Sequence, residues 1–414
     1  MYPKNLLFLV IILIIFRPVF GQDTTRVLFI GNSFTGANNL PELFKQLAIN
    51  SGKAVYINAY TPGGISVGDT NQGNSAHMNN PFVFSLIRSR KWDYLVLQDN
   101  QGRFCLGYGQ FPPSSRVIEG HLKIRDSLLF YSPCGRLVLY TGFGPKNGYP
   151  PYGNTGEALI DTIYNNYQFL NARAKELIAP IGAAFKQIMH HHPSMELWDT
   201  DATHPSKKGS YLAASVIYSS IFKSSPIVST YNPGLVVSED SIIKYTAFST
   251  TVDSLNKTGL AGFTPKISIF NNRLFVESGS DCTWYLNNQS LNTVQNCELL
   301  LQDRGTYFVK TTGANGCPQK SFDLVITSIP DPKASVIDIY PNPAAGHFFV
   351  NATNWNGEPI NVIVYNSTGI VIKRFKLIRY YQQISFPDLS AGVYFIQFHL
   401  SPKVVVRKLI WGHY

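Results

Sequence analysis

From Thr25 to about Pro226, short apolar runs alternate with longer stretches whose apolar positions recur every three to four residues. Val27–Ile30 reads as a strand, Pro41–Asn50 as a helix with Leu43, Phe44 and Leu47 on one face, and Val55–Ala59 as a second strand. Pro81–Arg90 follows as a helix, then Tyr94–Leu97, a strand apolar throughout, as a sheet covered on both faces requires. Helical spacing over Ile118–Phe130, a strand at Leu137–Tyr140, and amphipathic helices over Ala158–Leu177 and Lys207–Ile221 complete the series. This alternation predicts an α/β domain, with a parallel sheet between helical layers. Ligands in such domains bind beyond the carboxyl ends of the strands.

Residues 227–264 carry no clear period and either finish this domain or lead out of it. From Lys266 the pattern shortens to alternating runs, among them Ile267–Phe270, Leu274–Glu277, Thr283–Leu286, Thr306–Lys310 and Ser321–Thr327. Asn271-Asn272 and Asn287-Asn288 supply turns between some of them, so this segment predicts a small β-sandwich. Ile329-Pro330-Asp331-Pro332 reads as a linker, after which a last set of strands runs to the C-terminus. The expected division is 1–21, 22–264 with a core of 25–225, 265–330 and 331–414.

Lys4, an apolar run from Leu6 to Phe16 and the small residue of Val19-Phe20-Gly21 read as a secretory signal peptide. The run is short for a bilayer and Arg17-Pro18 interrupts it, so cleavage is expected rather than anchoring. No later stretch is apolar enough to span a membrane. A net charge of +10 raises nucleic-acid binding, but the basic residues are scattered and form no block or motif. Part of the excess lies beyond Ala334, with seven Lys/Arg against three Asp/Glu, and a solvated basic surface accounts for it. Five cysteines in an exported chain allow pairing. Grouping by predicted domain favours Cys105–Cys134 and Cys282–Cys317, with Cys297 left over. None shows the spacing of a zinc site.

Two short segments carry candidate chemistry. Val27–Ile30 runs into Gly31-Asn32-Ser33, which sets a hydroxyl at a strand's carboxyl end; Asp201-Ala202-Thr203-His204-Pro205-Ser206 lies near the end of the same domain. A serine hydroxyl becomes a nucleophile when a base takes its proton. His204 is the candidate base, and Asp201, three residues earlier, can hold its tautomer, with Asp199 as runner-up. Taken alone, each segment is also explained as a loop or a helix cap. His190-His191-His192 cannot share one face of a regular element and reads as a solvated helix end. Tyr108, Phe111, Phe143 and Tyr149 lie in Gly/Pro-rich loops after strands, where they either line a cleft or anchor the loops, and His77 is uncommitted.

With these residues in view, the chain from about Thr25 to Ser225 resembles the SGNH (GDSL-like) hydrolases. Gly31-Asn32-Ser33 matches the nucleophile block, Thr61-Pro62-Gly63-Gly64-Ile65-Ser66 the glycine block, and Asp201 to Ser206 the last block. Where the family shows Gly-x-Asn-Asp after the central strand, this chain has Leu97-Gln98-Asp99-Asn100-Gln101. The resemblance implies a three-layer, flavodoxin-like domain and a serine esterase using Ser33, His204 and Asp201. Its oxyanion hole would comprise the N–H groups of Ser33 and Gly64 and the amide of Gln98, with Asn100 as runner-up. It implies no cofactor and no metal, and by analogy an acylated carbohydrate among the ester substrates. The rival expectation is a non-catalytic surface adhesin or glycan-binding protein on an inactive fold of that type. Residues 265–330 resemble immunoglobulin-like modules of bacterial surface proteins. Tyr340-Pro341-Asn342-Pro343, the Asn366-Ser367-Thr368-Gly369 turn and Leu389-Ser390-Ala391-Gly392-Val393-Tyr394 resemble the C-terminal sorting domain of the type IX secretion system. That resemblance implies the secretion machinery as partner and export across the outer membrane of a Gram-negative bacterium.

Overall fold

The computed structural model describes residues 24–105, 115–148, 156–270, 272–277, 280–291, 297–327, 336–353, 357–400 and 403–412. Five strands form a parallel sheet: β1 (Thr25–Ile30), β2 (Val55–Tyr60), β3 (Tyr94–Leu97), β4 (Arg136–Tyr140) and β5 (Leu177–Ala179). Their order is β2-β1-β3-β4-β5, with Val27 opposite both Ile57 and Tyr94. The chain steps from β1 outward to β2, then returns to the other side of β1 as β3. The carboxyl end of β1 therefore sits at the point where strand order reverses, the usual crevice of such sheets.

The helices are α1 (Ser33–Gly36), α2 (Leu40–Ile49), α3 (Pro81–Arg88), α4 (Ser115–Tyr131), α5 (Gly156–Ala174), α6 (Ile181–His191), α7 (Lys207–Phe222) and α8 (Val237–Asp253). Alternation along β1 divides the core. Val27 and Phe29 join one cluster with Phe44 of α2, Phe185 of α6 and Tyr211 of α7. Leu28 and Ile30 face a second with Val83 of α3, Ile124 of α4 and Ile163 of α5. Burial on both faces is the reason β1 reads as an unbroken apolar run.

Four elements differ from the sequence expectation. The helix expected over Ala158–Leu177 ends at Ala174, where Lys175 takes a left-handed φ of 51°. Leu177–Ala179 then pairs with β4, and Ile181 starts a further helix. A three-residue strand is too short for its period to register between two helices. Residues 237–253 are helical although mostly polar, because α8 packs on α7 through Ile243 and Ala247. Its Asp240 carboxylate accepts from Tyr211 Oη and Lys244 Nζ, both at 2.9 Å, so buried polar groups are satisfied rather than solvated. With α8 on its outer side, α7 is buried from Gly209 to Phe222.

The chain forms two compact units. The first contains the parallel sheet, its helices, and Leu274–Leu299 and Gly305–Val325; the second contains Ile269–Arg273, Leu300–Arg304 and Ile326–Tyr414. Within the first, Ser280–Leu286 pairs antiparallel with Gly305–Thr312, and Trp284 is fully buried opposite Val309. The second is built on a seven-stranded sheet over a core including Phe348, Val364, Ile396 and Phe398. Its Asn342, flanked by two prolines that lack N–H groups, replaces the missing ladder bonds with its side chain. Nδ2 donates to Lys408 O at 2.7 Å and Oδ1 accepts from Ile410 N at 2.8 Å.

The disulfides are Cys134–Cys317 and Cys282–Cys297, with Cα separations of 5.4 and 5.2 Å. This corrects the expected Cys105–Cys134 and Cys282–Cys317. Cys105 follows the carboxyl end of β3, whereas Cys134 precedes the amino end of β4, so the two sit at opposite edges of the sheet, beyond disulfide reach. Cys105 is free and buried, donates to Gln101 O at 3.1 Å, and has its thiol pushed up to about 12 by burial.

Candidate active site

The site begins where β1 stops. A Cβ on Gly31 would meet Thr35 Oγ1 at 2.5 Å and Gln98 Oε1 at 2.7 Å, so any side chain here would displace both groups. Asn32 then caps α1: its Oδ1 accepts from Phe34 N at 3.1 Å, while its Nδ2 donates to Ile65 O at 2.9 Å. Ser33 is the first residue of α1. Its N–H, at a helix N-terminus, has no hydrogen-bond partner among the described residues.

The second segment reaches Ser33 from the amino side of α7, whose first turn is capped by Ser206 Oγ accepting from Gly209 N at 3.2 Å. A bridge between Trp198 and Pro205 closes the 198–205 turn, and Asp199 N donates to His204 O at 2.8 Å. Within it Asp201 Oδ1 accepts from Thr203 N and His204 N at 2.9 and 2.8 Å, and Asp201 Oδ2 lies 2.5 Å from His204 Nδ1. These hydrogen bonds, led by that from the imidazole, hold the Asp201 carboxyl down to about 2. A carboxylate can only accept here, so Nδ1 carries the proton and Nε2 is left as acceptor. His204 Nε2 lies 2.8 Å from Ser33 Oγ. The imidazole stacks on Phe34 with centroids 5.1 Å apart, and Asn38 Nδ2 donates to Pro205 O and Ser210 Oγ at 2.9 and 3.0 Å. The α1–α2 segment is thereby tied to the histidine turn.

An open cleft of about 430 Å³ lies over these groups, lined by Ser33, Gly36, Ala37, Asn38, Thr61, Gly63, Asp199, Asp201, His204 and Pro205. Gly63 borders it; Gly64, preferred from the sequence, takes the next position of the turn with φ of 72°. Asp99 holds this glycine loop to the sheet edge, its Oδ1 accepting from Ser66 Oγ, Val67 N and Asn100 N, each at 2.7 Å.

Gln98, expected at the oxyanion hole, is not among the residues lining the cleft. It is 1% exposed. Its Oε1 accepts from Asn32 N at 2.8 Å and Thr35 Oγ1 at 3.1 Å, and its Nε2 donates to Asp99 O. The amide braces the turn from behind, with Nε2 turned to Asp99 O. Asn100 does not line the cleft either; its Oδ1 caps a short turn through Gly102 N at 3.0 Å. His77, uncommitted in the sequence, is buried beneath the same turn, with Nε2 2.9 Å from Gly31 O; burial lowers its pKa against the opposing pull of Asp99. His190 and His191 end α6, and His190 Nδ1 lies 3.9 Å from Glu157. Phe143 is buried, stacked on Phe185 at 3.9 Å, and anchors its loop. Tyr108, Phe111 and Tyr149 lie outside the described residues. Among the described residues no group of His, Cys, Asp or Glu has the arrangement of a metal site, and no helix is long and apolar enough to cross a membrane. Sequence reasoning missed Asn38 and Asp99; the Asn38-Asn39 pair, both with φ of 52°, was the available signal for the first.

Residues 338–411 match the family described as the secretion system C-terminal sorting domain. The chain therefore carries a sorting domain for type IX export, to the cell surface or the medium. A curated relative, beta-agarase A from Zobellia galactanivorans, is 33% identical over 81 residues, 19% of this chain and 15% of the relative's length. Among solved structures, a DUF4886 family protein from Bacteroides uniformis is similar at 15% identity and a TM-score of 0.47, over 56% of this chain and 95% of that one. A catalytic mutant of an acetylxylan esterase from Geobacillus stearothermophilus is similar at 16% identity and a TM-score of 0.33, over 48% and 94%. A carbohydrate esterase family 3 structure from Talaromyces cellulolyticus is similar at 12% identity and a TM-score of 0.35, over 48% and 97%.

Proposed function

We propose that the first unit is a secreted serine esterase of the SGNH type acting on carboxylic esters, acylated carbohydrates among them. The observation that carries this reading is the continuous chain Ser33 Oγ, His204 Nε2, His204 Nδ1, Asp201 Oδ2, with separations of 2.8 and 2.5 Å. Ser33 attacks the ester carbonyl as His204 takes its proton, and Asp201 stabilises the resulting imidazolium. The tetrahedral oxyanion is met by the Ser33 N–H at the α1 N-terminus and by the N–H of Gly64. His204 returns the proton to the departing alcohol, and water, activated by the same imidazole, hydrolyses the acyl-enzyme.

The reading is tested with p-nitrophenyl acetate and acetylated glycosides, together with labelling by a fluorophosphonate probe. Turnover and stoichiometric labelling, both lost in Ser33→Ala, are expected. No labelling, and no turnover of any ester offered, would favour the non-catalytic glycan-binding reading instead.

A further inference from the structure

Asp199 borders the cleft but does not hold the histidine, because Asp201 already occupies Nδ1 at 2.5 Å. Its main chain is fixed: the N–H donates to His204 O at 2.8 Å and the carbonyl accepts from Ala202 N at 2.9 Å. Of its carboxylate, Oδ1 accepts from Thr200 N at 2.7 Å, while Oδ2 has no partner among the described residues. Across the same cleft, Asn38 uses both Nδ2 protons on Pro205 O and Ser210 Oγ, which leaves its Oδ1 as an acceptor. Thr61 adds a hydroxyl. Among the described residues the cleft thus offers acceptors and no Lys or Arg lines it. Among the described residues its apolar lining is Ala37 and Pro205.

Acceptors without cations suit a ligand that brings several O–H donors and no negative charge. We propose that Asp199 is the specificity residue for the alcohol part of the substrate, accepting hydrogen bonds from free hydroxyls of a neutral, partly acylated sugar. A carboxylate acceptor strengthens such bonds and repels an anionic alcohol. The reaction context rests on the esterase reading above; the contact itself does not.

The test compares wild type and Asp199→Asn in the full chain on three substrates: a methyl glucoside carrying one acetyl group, its fully acetylated counterpart, and the acetylated uronate. Asparagine keeps the Oδ1 acceptor for Thr200 N, and thermal unfolding checks that the turn survives. On the mono-acetyl glucoside kcat/KM is expected to fall about tenfold, mostly through KM. The fully acetylated sugar, which has no free hydroxyl, should lose distinctly less, and the uronate should gain relative to the neutral sugar. Equal losses on the first two substrates would overturn the proposal. If wild type hydrolyses no ester, the esterase reading fails by itself. Binding of the unacetylated methyl glucoside, followed by NMR titration, then decides the contact: weaker binding by Asp199→Asn supports it and equal or undetectable binding by both proteins overturns it.

Discussion

Ser33 Oγ and His204 Nε2 lie 2.8 Å apart although 171 positions separate them in the chain. The pair meets because β1 ends at the reversal of strand order, while Asn38 ties the segment after Ser33 to the turn that carries His204. Replacing either residue by alanine should lower kcat by a factor on the order of 10³–10⁶. Thermal midpoints should barely move, because neither side chain is part of the core. Rate and melting measurements on the same preparations check this.

Asp201 should matter through geometry and charge together. Its carboxyl, held down to about 2, is ionised in the folded protein above about pH 4, so no change of rate above that pH belongs to it. The sign is that of a depressed acid: its contribution to stability is present above the unfolded value and lost as pH falls through about 2. Asp201→Asn can accept at Nδ1 only through an amide that also presents donors. It is expected to lower kcat by a factor on the order of 10²–10⁴, measured at saturating substrate.

Gln98 offers a contrast that separates bracing from catalysis. Gln98→Leu would leave Asn32 N–H and Thr35 Oγ1 without their acceptor in a buried place. Stability should fall by about 1–3 kcal/mol along with activity. A donor acting on the oxyanion alone would give a rate loss with an unchanged melting temperature, so the paired measurement distinguishes the two roles.

A buried carboxyl far from the cleft predicts the pH dependence of folding. Glu176 is 3% exposed, and burial pushes its pKa up to about 7, against the pull of Arg136, the Leu137 N–H and Arg125. Because the folded value lies above the unfolded 4.5, the stabilisation is complete below about 4.5 and is lost as pH rises through about 7. The full loss is at most about 3 kcal/mol. Glu176→Gln should flatten the decline in denaturation midpoint between about pH 5 and pH 8.

Non-reducing peptide mapping should find Cys134 linked to Cys317 and Cys282 linked to Cys297. The first bridge spans 183 positions and the second 15. Removing Cys134–Cys317 by paired serine substitutions should lower stability by about 2–5 kcal/mol, with a smaller loss for the short loop on chain-entropy grounds. Denaturant titration of the two variants measures the difference.

The local features were legible because they depend on near neighbours. β1, α2, β3 and α7 follow from apolar spacing, and Gly31 announces a turn that a side chain would block. The cap at Ser206 and the Asp201–His204 pair lie within one turn of chain. The Tyr340–Pro343 segment was legible as part of a sorting domain, but the partners of Asn342, Lys408 and Ile410, lie 66 and 68 positions away and were not.

What the sequence by itself determined, then, was the alternation of elements, the two chemical segments and the sorting domain at the C-terminus. The tertiary structure alone decided which cysteines pair, that α8 covers α7, and that the amide of Gln98 faces the back of the nucleophile turn. The physical reason is common to all three. Pairing, covering and orientation depend on which polar and apolar groups meet across the sheet, and those meetings leave no period in the chain.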